Sequence, residues 1–170
     1  TWQRSSSKSS WEAYPTGQNE VLRLTQSQVG YSYRAVVSYV DSHGTREVLY
    51  TSPSETIDNL DDPVQGEVTI IGEPKEGITL RALSNSLSDE DGIASISISW
   101  ETSKDGRNWA GVNSLSGPIL SLGQSLVGSQ VRARVAVVDN FGIETNLYSQ
   151  ATRTVENVNN KPSGRIVIRR

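Results

Sequence analysis

The chain has 170 residues, with 16 basic and 19 acidic side chains and a formal net charge of −3. It has no Cys and no Met, and the absence of Cys excludes disulfides and thiolate metal sites. The single His argues against catalysis by a His-based acid or base. The nearly balanced charge argues against a nucleic-acid partner. No apolar run approaches the roughly 18–20 residues that span a bilayer, so we expect no membrane insertion. The missing Met predicts a mature product or a fragment.

The chain is similar to itself at an offset of 98 residues. Aligned without a gap, residues 1–72 and 99–170 share 21 identities in 72 pairs. The identities include Trp2 with Trp100, Trp11 with Trp109, Arg34 with Arg132, Asp41 with Asp139 and Tyr50 with Tyr148. Chance similarity would give only a handful of matches, so the sequence indicates an internal repeat of about 98 residues.

One repeat unit, residues 66–163, has the apolar period of two that is typical of strands. The predicted strands are, in chain order, 68–71, 78–82, 93–100, 108–112, 119–122, 131–138 and 145–155. Asp105-Gly106 predicts a hairpin turn between the third and fourth. Seven strands, with turn signals at intervals of roughly 8–12 residues, predict an all-β fold of tandem immunoglobulin-like antiparallel β-sandwiches. Trp100, which alternates with Ser side chains on the third strand, is predicted to lie in the core.

The repeat also predicts the domain boundaries. Residues 1–62 form an incomplete first sandwich that begins at the third strand, residues 63–160 a complete second one, and residues 161–170 the start of a following repeat. The first copy lacks about five core side chains at roughly 1.5–3 kcal/mol each, which is comparable with the stability of a whole domain. Either the missing strands were removed or another element replaces them. One candidate is strand addition by residues 165–168 of a neighbouring molecule.

Acidic side chains occur in three loops that a sandwich of this topology brings to one pole. Carboxylate oxygens are the ligands that Ca²⁺ prefers, and without an ion so many of them would repel one another. The alternative is that they are turn formers on a solvated surface. The candidate Ca²⁺ ligands are Asp58, Asp61 and Asp62 in the linker, Asp89, Glu90 and Asp91 after the second strand, and Asp139 before the last strand. The second linker, 156–162, has Asn and Lys161 instead, so we expect weaker binding there.

Several motifs together carry a resemblance to a known family. They are the linker Asp58-Asn59-Leu60-Asp61-Asp62-Pro63, the loop Asp89-Glu90-Asp91-Gly92, the pair Ser99-Trp100 and the turn Val138-Asp139-Asn140-Phe141-Gly142. Their order resembles the tandem cadherin-like or immunoglobulin-like repeats of large bacterial RTX-type and biofilm-associated surface adhesins. The resemblance implies a calcium-stiffened stalk or spacer in cell adhesion, located outside the cell or on its surface, whose partners are neighbouring repeats of the same chain.

Two other functions compete with the stalk. Trp11 and Trp109 are candidates for stacking on a ligand, which would make the chain a carbohydrate- or protein-binding β-sandwich module, although packing explains both rings as well. The chain offers no Ser/His/Asp arrangement and no Gly-rich phosphate loop, and its carboxylates lie together in turns rather than across a cleft. We therefore predict that it is not an enzyme.

Overall fold

The computed structural model describes residues 1–15 and 21–168 and is all-β, apart from two single-turn 3₁₀ helices. The chain divides into two compact units, Thr1–Asp61 (unit 1) and Asp62–Arg170 (unit 2). All strand pairings in its three sheets are antiparallel. Within the described ranges, no helix has the length and apolar character needed to cross a bilayer.

In residues 1–15 and 21–61, unit 1 contains four strands in a single sheet. They are Trp2–Ser5 (β1), Glu12–Tyr14 (β2), Ser32–Val40 (β3) and Arg46–Tyr50 (β4), in the spatial order β2-β1-β3-β4. A 3₁₀ turn, Gln26–Gln28, precedes β3. Among residues 1–15 and 21–61, no second sheet covers this one.

One face of the unit 1 sheet is covered at one end only. There, the Tyr14 and Tyr33 rings meet edge to face at 5.3 Å, and the Arg4 guanidinium lies 4.4 Å from the centre of the Tyr31 ring. Further along β3 the same face opens, because Val37 is 53% exposed. The sheet therefore presents aliphatic side chains to solvent where a sandwich would bury them.

In its described part, residues 62–168, unit 2 contains seven strands in two sheets. They are Thr69–Ile71 (β5), Thr79–Leu83 (β6), Ile93–Ser103 (β7), Ala110–Ser116 (β8), Ile119–Ser121 (β9), Gln130–Asp139 (β10) and Glu144–Tyr148 (β11). The sheets have the orders β11-β10-β7-β8 and β5-β6-β9. A 3₁₀ turn, Gln124–Leu126, joins β9 to β10.

The core of unit 2 lies between these two sheets. Leu80 and Leu120 contribute from the smaller sheet, and Trp100, Val131 and Val135 from the larger one. Trp100 is 1% exposed, and its indole N–H donates to the carbonyl of Gly117 at 3.0 Å, so the one polar atom of this buried ring has a partner. The prediction that Trp100 is a core residue is confirmed.

The predicted strands of unit 2 correspond to β5–β11, with one correction. The last strand was predicted to run from 145 to 155, but β11 ends at Tyr148. Beyond it, the hydroxyl groups of Ser149 and Thr152 accept the N–H groups of Ala133 and Val131 at 2.9 and 3.0 Å. Side chains thus take donors of β10 that a continuing strand would use, which ends the regular ladder.

The same cross-strand pairs recur 98 residues apart. Trp2 pairs with Ala35 in unit 1, and Trp100 pairs with Ala133 in unit 2. The pair Val37 and Leu49 corresponds in the same way to Val135 and Leu147. The sheet of unit 1 and the larger sheet of unit 2 therefore have the same strand register.

Val37 and Val135 occupy equivalent positions but differ in burial, so the same substitution should lower the free energy of unfolding by different amounts. Val135 is fully buried, so Val135→Ala should lower the free energy of unfolding of unit 2 by about 2 kcal/mol. Val37→Ala, at the exposed position of unit 1, should change stability by less than about 0.5 kcal/mol. Urea denaturation of both variants in dilute solution checks this, and equal costs would contradict the difference in burial.

The turn between β7 and β8 predicts an acid-sensitive contribution to stability. Asp105 accepts the N–H groups of Asn108 and Arg107, each at 2.8 Å, and these bonds to the carboxylate hold its pKa below the ordinary value of 3.8. A depressed carboxyl pKa stabilises the fold above pH 3.8, and the contribution is lost as the pH falls below that value. Asp105→Ala should therefore be less stable than the wild type at neutral pH, with the difference shrinking in acid; thermal melts at both pH values test it.

Candidate metal centre

Asp139 ends the longest strand pairing of unit 2, where a register shift follows Val138. Its Oδ1 accepts the N–H groups of Phe141 and Ile143 at 2.8 and 2.7 Å, which closes the turn between β10 and β11. The side chain is buried, with the residue 4% exposed, and its Oδ2 has no hydrogen-bond partner. One carboxylate oxygen thus builds the turn, while the other is left free.

Asp91 lies in the loop that joins β6 to β7. Its N–H donates to Asp89 Oδ1 at 2.8 Å, and Gly92 follows with a φ of +78°, a conformation that favours glycine. The Oδ2 of Asp91 accepts the N–H of Asp62 at 3.1 Å, which ties the start of unit 2 to this loop. Asp91 is 3% exposed, and its Oδ1 has no partner.

The two buried carboxylates lie close together. Asp91 and Asp139 each offer an oxygen, and the two oxygens lie within 4.8 Å of one another. Asp61 is bonded directly to Asp62, whose N–H holds Asp91. Buried anions without a compensating partner are costly, and a buried polar atom without a hydrogen bond is uncommon in a folded protein. A cation between the carboxylates would satisfy both free oxygens at once.

The remaining predicted ligands are not in this group. Asp62, Asp89 and Glu90 line a surface cavity of about 330 Å³ together with Ser88. Asp58 is exposed, and no group of metal-ligating side chains in residues 1–15 and 21–168 includes it. Asp61 is exposed as well. Of the seven candidate ligands, Asp91 and Asp139 are thus the two that combine burial with an oxygen that has no hydrogen-bond partner.

The donor set selects the class of cation. It consists of carboxylate oxygens only, which suit Ca²⁺ or Mg²⁺ rather than the metals that prefer imidazole or thiolate ligands. Ca²⁺ tolerates irregular geometry and takes backbone carbonyl groups and water as further ligands, whereas Mg²⁺ demands a near-ideal octahedron. A site assembled from the side chains of two loops fits the more tolerant ion.

Unit 1 contains the same turn without the rest of the site. Asp41, which aligns with Asp139, accepts the N–H groups of His43 and Thr45, each at 2.8 Å. It is more exposed than Asp139 and belongs to no carboxylate group in the described part of the chain. One Asp is therefore enough to form this turn. Unit 2 differs from unit 1 because the carboxylate of Asp91 lies beside that of Asp139.

Trp11 and Trp109 each stack on an arginine. The Arg132 guanidinium lies 4.3 Å from the ring centres of both Trp109 and Tyr148, and it forms an ion pair with Glu101 at 2.6 Å. Arg34 lies in the same way between Trp11 and Tyr50, at 4.4 Å from each. One face of each indole is covered by protein, so at most the other face is available to a ligand. Ligand stacking at these rings stays a prediction.

These stacks were not predicted from the sequence. The signal was present, because Trp, Arg and Tyr at all three positions are identical in the two halves of the 98-residue alignment. Planar guanidinium groups pack between aromatic rings through cation–π attraction, which gives three distant identities one physical cause.

Comparisons with protein-family models, with curated proteins and with solved structures find no significant match.

The stack predicts that Arg132→Lys costs stability although the positive charge is kept. Lysine lacks the planar group that fills the gap between Trp109 and Tyr148, so the free energy of unfolding should fall by about 1 kcal/mol. Arg134→Lys is the matched control on the same strand, and it should have an effect below about 0.5 kcal/mol. Urea titrations of the two variants check the prediction, which equal effects would contradict.

Proposed function

We propose that this protein is a structural repeat module, a stalk or spacer of a secreted or cell-surface adhesin, whose junction binds Ca²⁺. The observation that carries the proposal is the pair of buried carboxylates, Asp91 and Asp139, each with an oxygen that no hydrogen bond satisfies. An arrangement that would destabilise an ion-free protein becomes favourable when a divalent cation neutralises it.

The position of the carboxylates supports a mechanical role. Asp91 and Asp139 belong to two loops of unit 2, and Asp61 and Asp62 form the linker that enters it. Because Asp91 also accepts the N–H of Asp62, a cation bound there holds the start of unit 2 against two of its loops. The ion then restricts the backbone where the linker enters unit 2.

The recurrence of one register in both units supports the tandem immunoglobulin-like arrangement. A stalk requires modules that repeat a geometry and leave their surfaces free of specialised clefts. The Trp–Arg–Tyr stacks fit this role, because each one links two neighbouring strands to the residue just before a third strand on the outer face of a sheet. The resemblance to surface adhesins supplies the extracellular location.

Calcium should stabilise unit 2 specifically. At a concentration of about 100 times Kd, the ion should add roughly 2.7 kcal/mol to the free energy of unfolding, so the melting temperature in Ca²⁺ should exceed that in chelator. Asp139→Asn should abolish the difference, because it removes a charge while its side-chain oxygen can still accept the turn hydrogen bonds. Asp41→Asn is the matched control in unit 1 and should keep the full difference.

Equal melting temperatures of the wild type in Ca²⁺ and chelator would remove the calcium proposal. In chelator, Asp139→Asn should be as stable as the wild type or more stable, because one of two neighbouring buried charges is gone. The stiffening role has a separate readout. The chain has no Cys, so Glu47→Cys with Asn85→Cys gives one spin-label pair across the junction, and Ca²⁺ should narrow its distance distribution.

A further inference from the structure

The two loops that carry the buried carboxylates touch each other one residue after each carboxylate. Gly92 follows Asp91, and Asn140 follows Asp139. A Cβ atom at Gly92 would overlap the side-chain amide of Asn140, so that amide lies directly against the Gly92 backbone. The exposed side chain of Asn140 thus packs across the boundary between the two loops.

The turn between β10 and β11 does not itself require an amide at position 140. In unit 1 the residue that aligns with Asn140 is Ser42, and Asp41 still accepts the N–H groups of His43 and Thr45, each at 2.8 Å. A serine therefore suffices at this position of the turn. The longer amide of Asn140 is available for a contact outside the turn, and it makes that contact with the neighbouring loop.

The strand ladder is irregular at the point where the two loops begin. Val138 pairs with Ser95, but Asp139 pairs with Ile93, so Ala94 is an extra residue at the end of β7. Such a bulge interrupts the regular hydrogen bonds between the strands. A contact between the loops themselves then helps to hold the two carboxylates at a fixed spacing, because a binding site needs support for the side chains that form it.

We propose that Asn140 is a positioning residue of the cation site, an inference that rests on the calcium binding proposed above. Its amide packs on Gly92 and thereby holds the Asp139 turn against the Asp91 loop. Glycine is favoured at position 92 for two reasons, since its φ is +78° and a side chain there would displace the amide. Residues that orient metal ligands without touching the metal change affinity by factors of about 10–100.

The test measures the Ca²⁺ dissociation constant of the full chain and its melting temperature in chelator. Asn140→Ser, which installs the residue of unit 1, should weaken binding about tenfold, the lower end of that range, because Ca²⁺ tolerates irregular geometry. Its melting temperature in chelator should equal that of the wild type, since the side chain is exposed. Ser42→Asn is the matched control in unit 1 and should leave binding unchanged.

Gly92→Ala separates the contact from backbone strain. It should also weaken binding about tenfold. Gly77→Ala, at a φ of +84° and with no described atom within 4 Å of the added methyl group, introduces comparable strain and should leave the dissociation constant unchanged. In the double variant, Gly92→Ala with Asn140→Ser, the shorter side chain avoids the methyl group, so binding should equal that of Asn140→Ser alone.

Three results would overturn this inference and leave the calcium proposal intact. They are a wild-type dissociation constant for Asn140→Ser, a melting temperature of that variant in chelator well below the wild-type value, and losses in the double variant that multiply to about a hundredfold. A wild type that binds no Ca²⁺ would remove both proposals.

Discussion

The antiparallel pairing of β7 with β10 is the constraint on which unit 2 depends. It runs from Gln130 opposite Ser103 to Asp139 opposite Ile93. Because side chains alternate along a strand, this single register sends Val131, Ala133 and Val135 into the core and Arg132 and Arg134 to the outer face. The strand β10 thus contributes side chains to the core and also carries Arg132, the arginine of the stack. At its end, the same strand places Asp139 beside Asp91.

The same register in unit 1 has a different energetic outcome, because burial depends on what covers a sheet. Val37 and Val135 occupy equivalent positions, but only Val135 meets a second sheet. At the other end of the unit 1 face, Arg4 and three tyrosines stand where unit 2 has smaller or aliphatic residues. Burial raises the pKa of the Tyr33 hydroxyl, which lies in that cluster. One end of the face is therefore covered by local contacts, whereas Val37 at the other end is exposed.

The carboxylates show which parts of a site can be predicted from a sequence. The spacing of acids in three loops indicated a shared pole, and the fold does bring Asp91 and Asp139 together. Composition could not separate these two from Asp89 and Glu90, which lie two residues and one residue before Asp91. The turn makes this distinction. The carboxylate of Asp89 accepts the N–H of Asp91, whereas the Oδ1 of Asp91 itself has no hydrogen-bond partner. The end of β11 depended in the same way on two hydroxyl groups whose positions only the folded chain reveals.

By itself, the sequence determined the β class of the chain, the 98-residue offset, the alternation that makes Trp100 a core residue, and the positions of most strands in unit 2. These follow from local patterns, because a period of two and glycine-rich turns act over a few residues. Only the tertiary structure decided which acids are buried, that Arg34 and Arg132 lie between aromatic rings, and that the face of unit 1 is open. Those features depend on residues tens of positions apart that meet only when the sheets form.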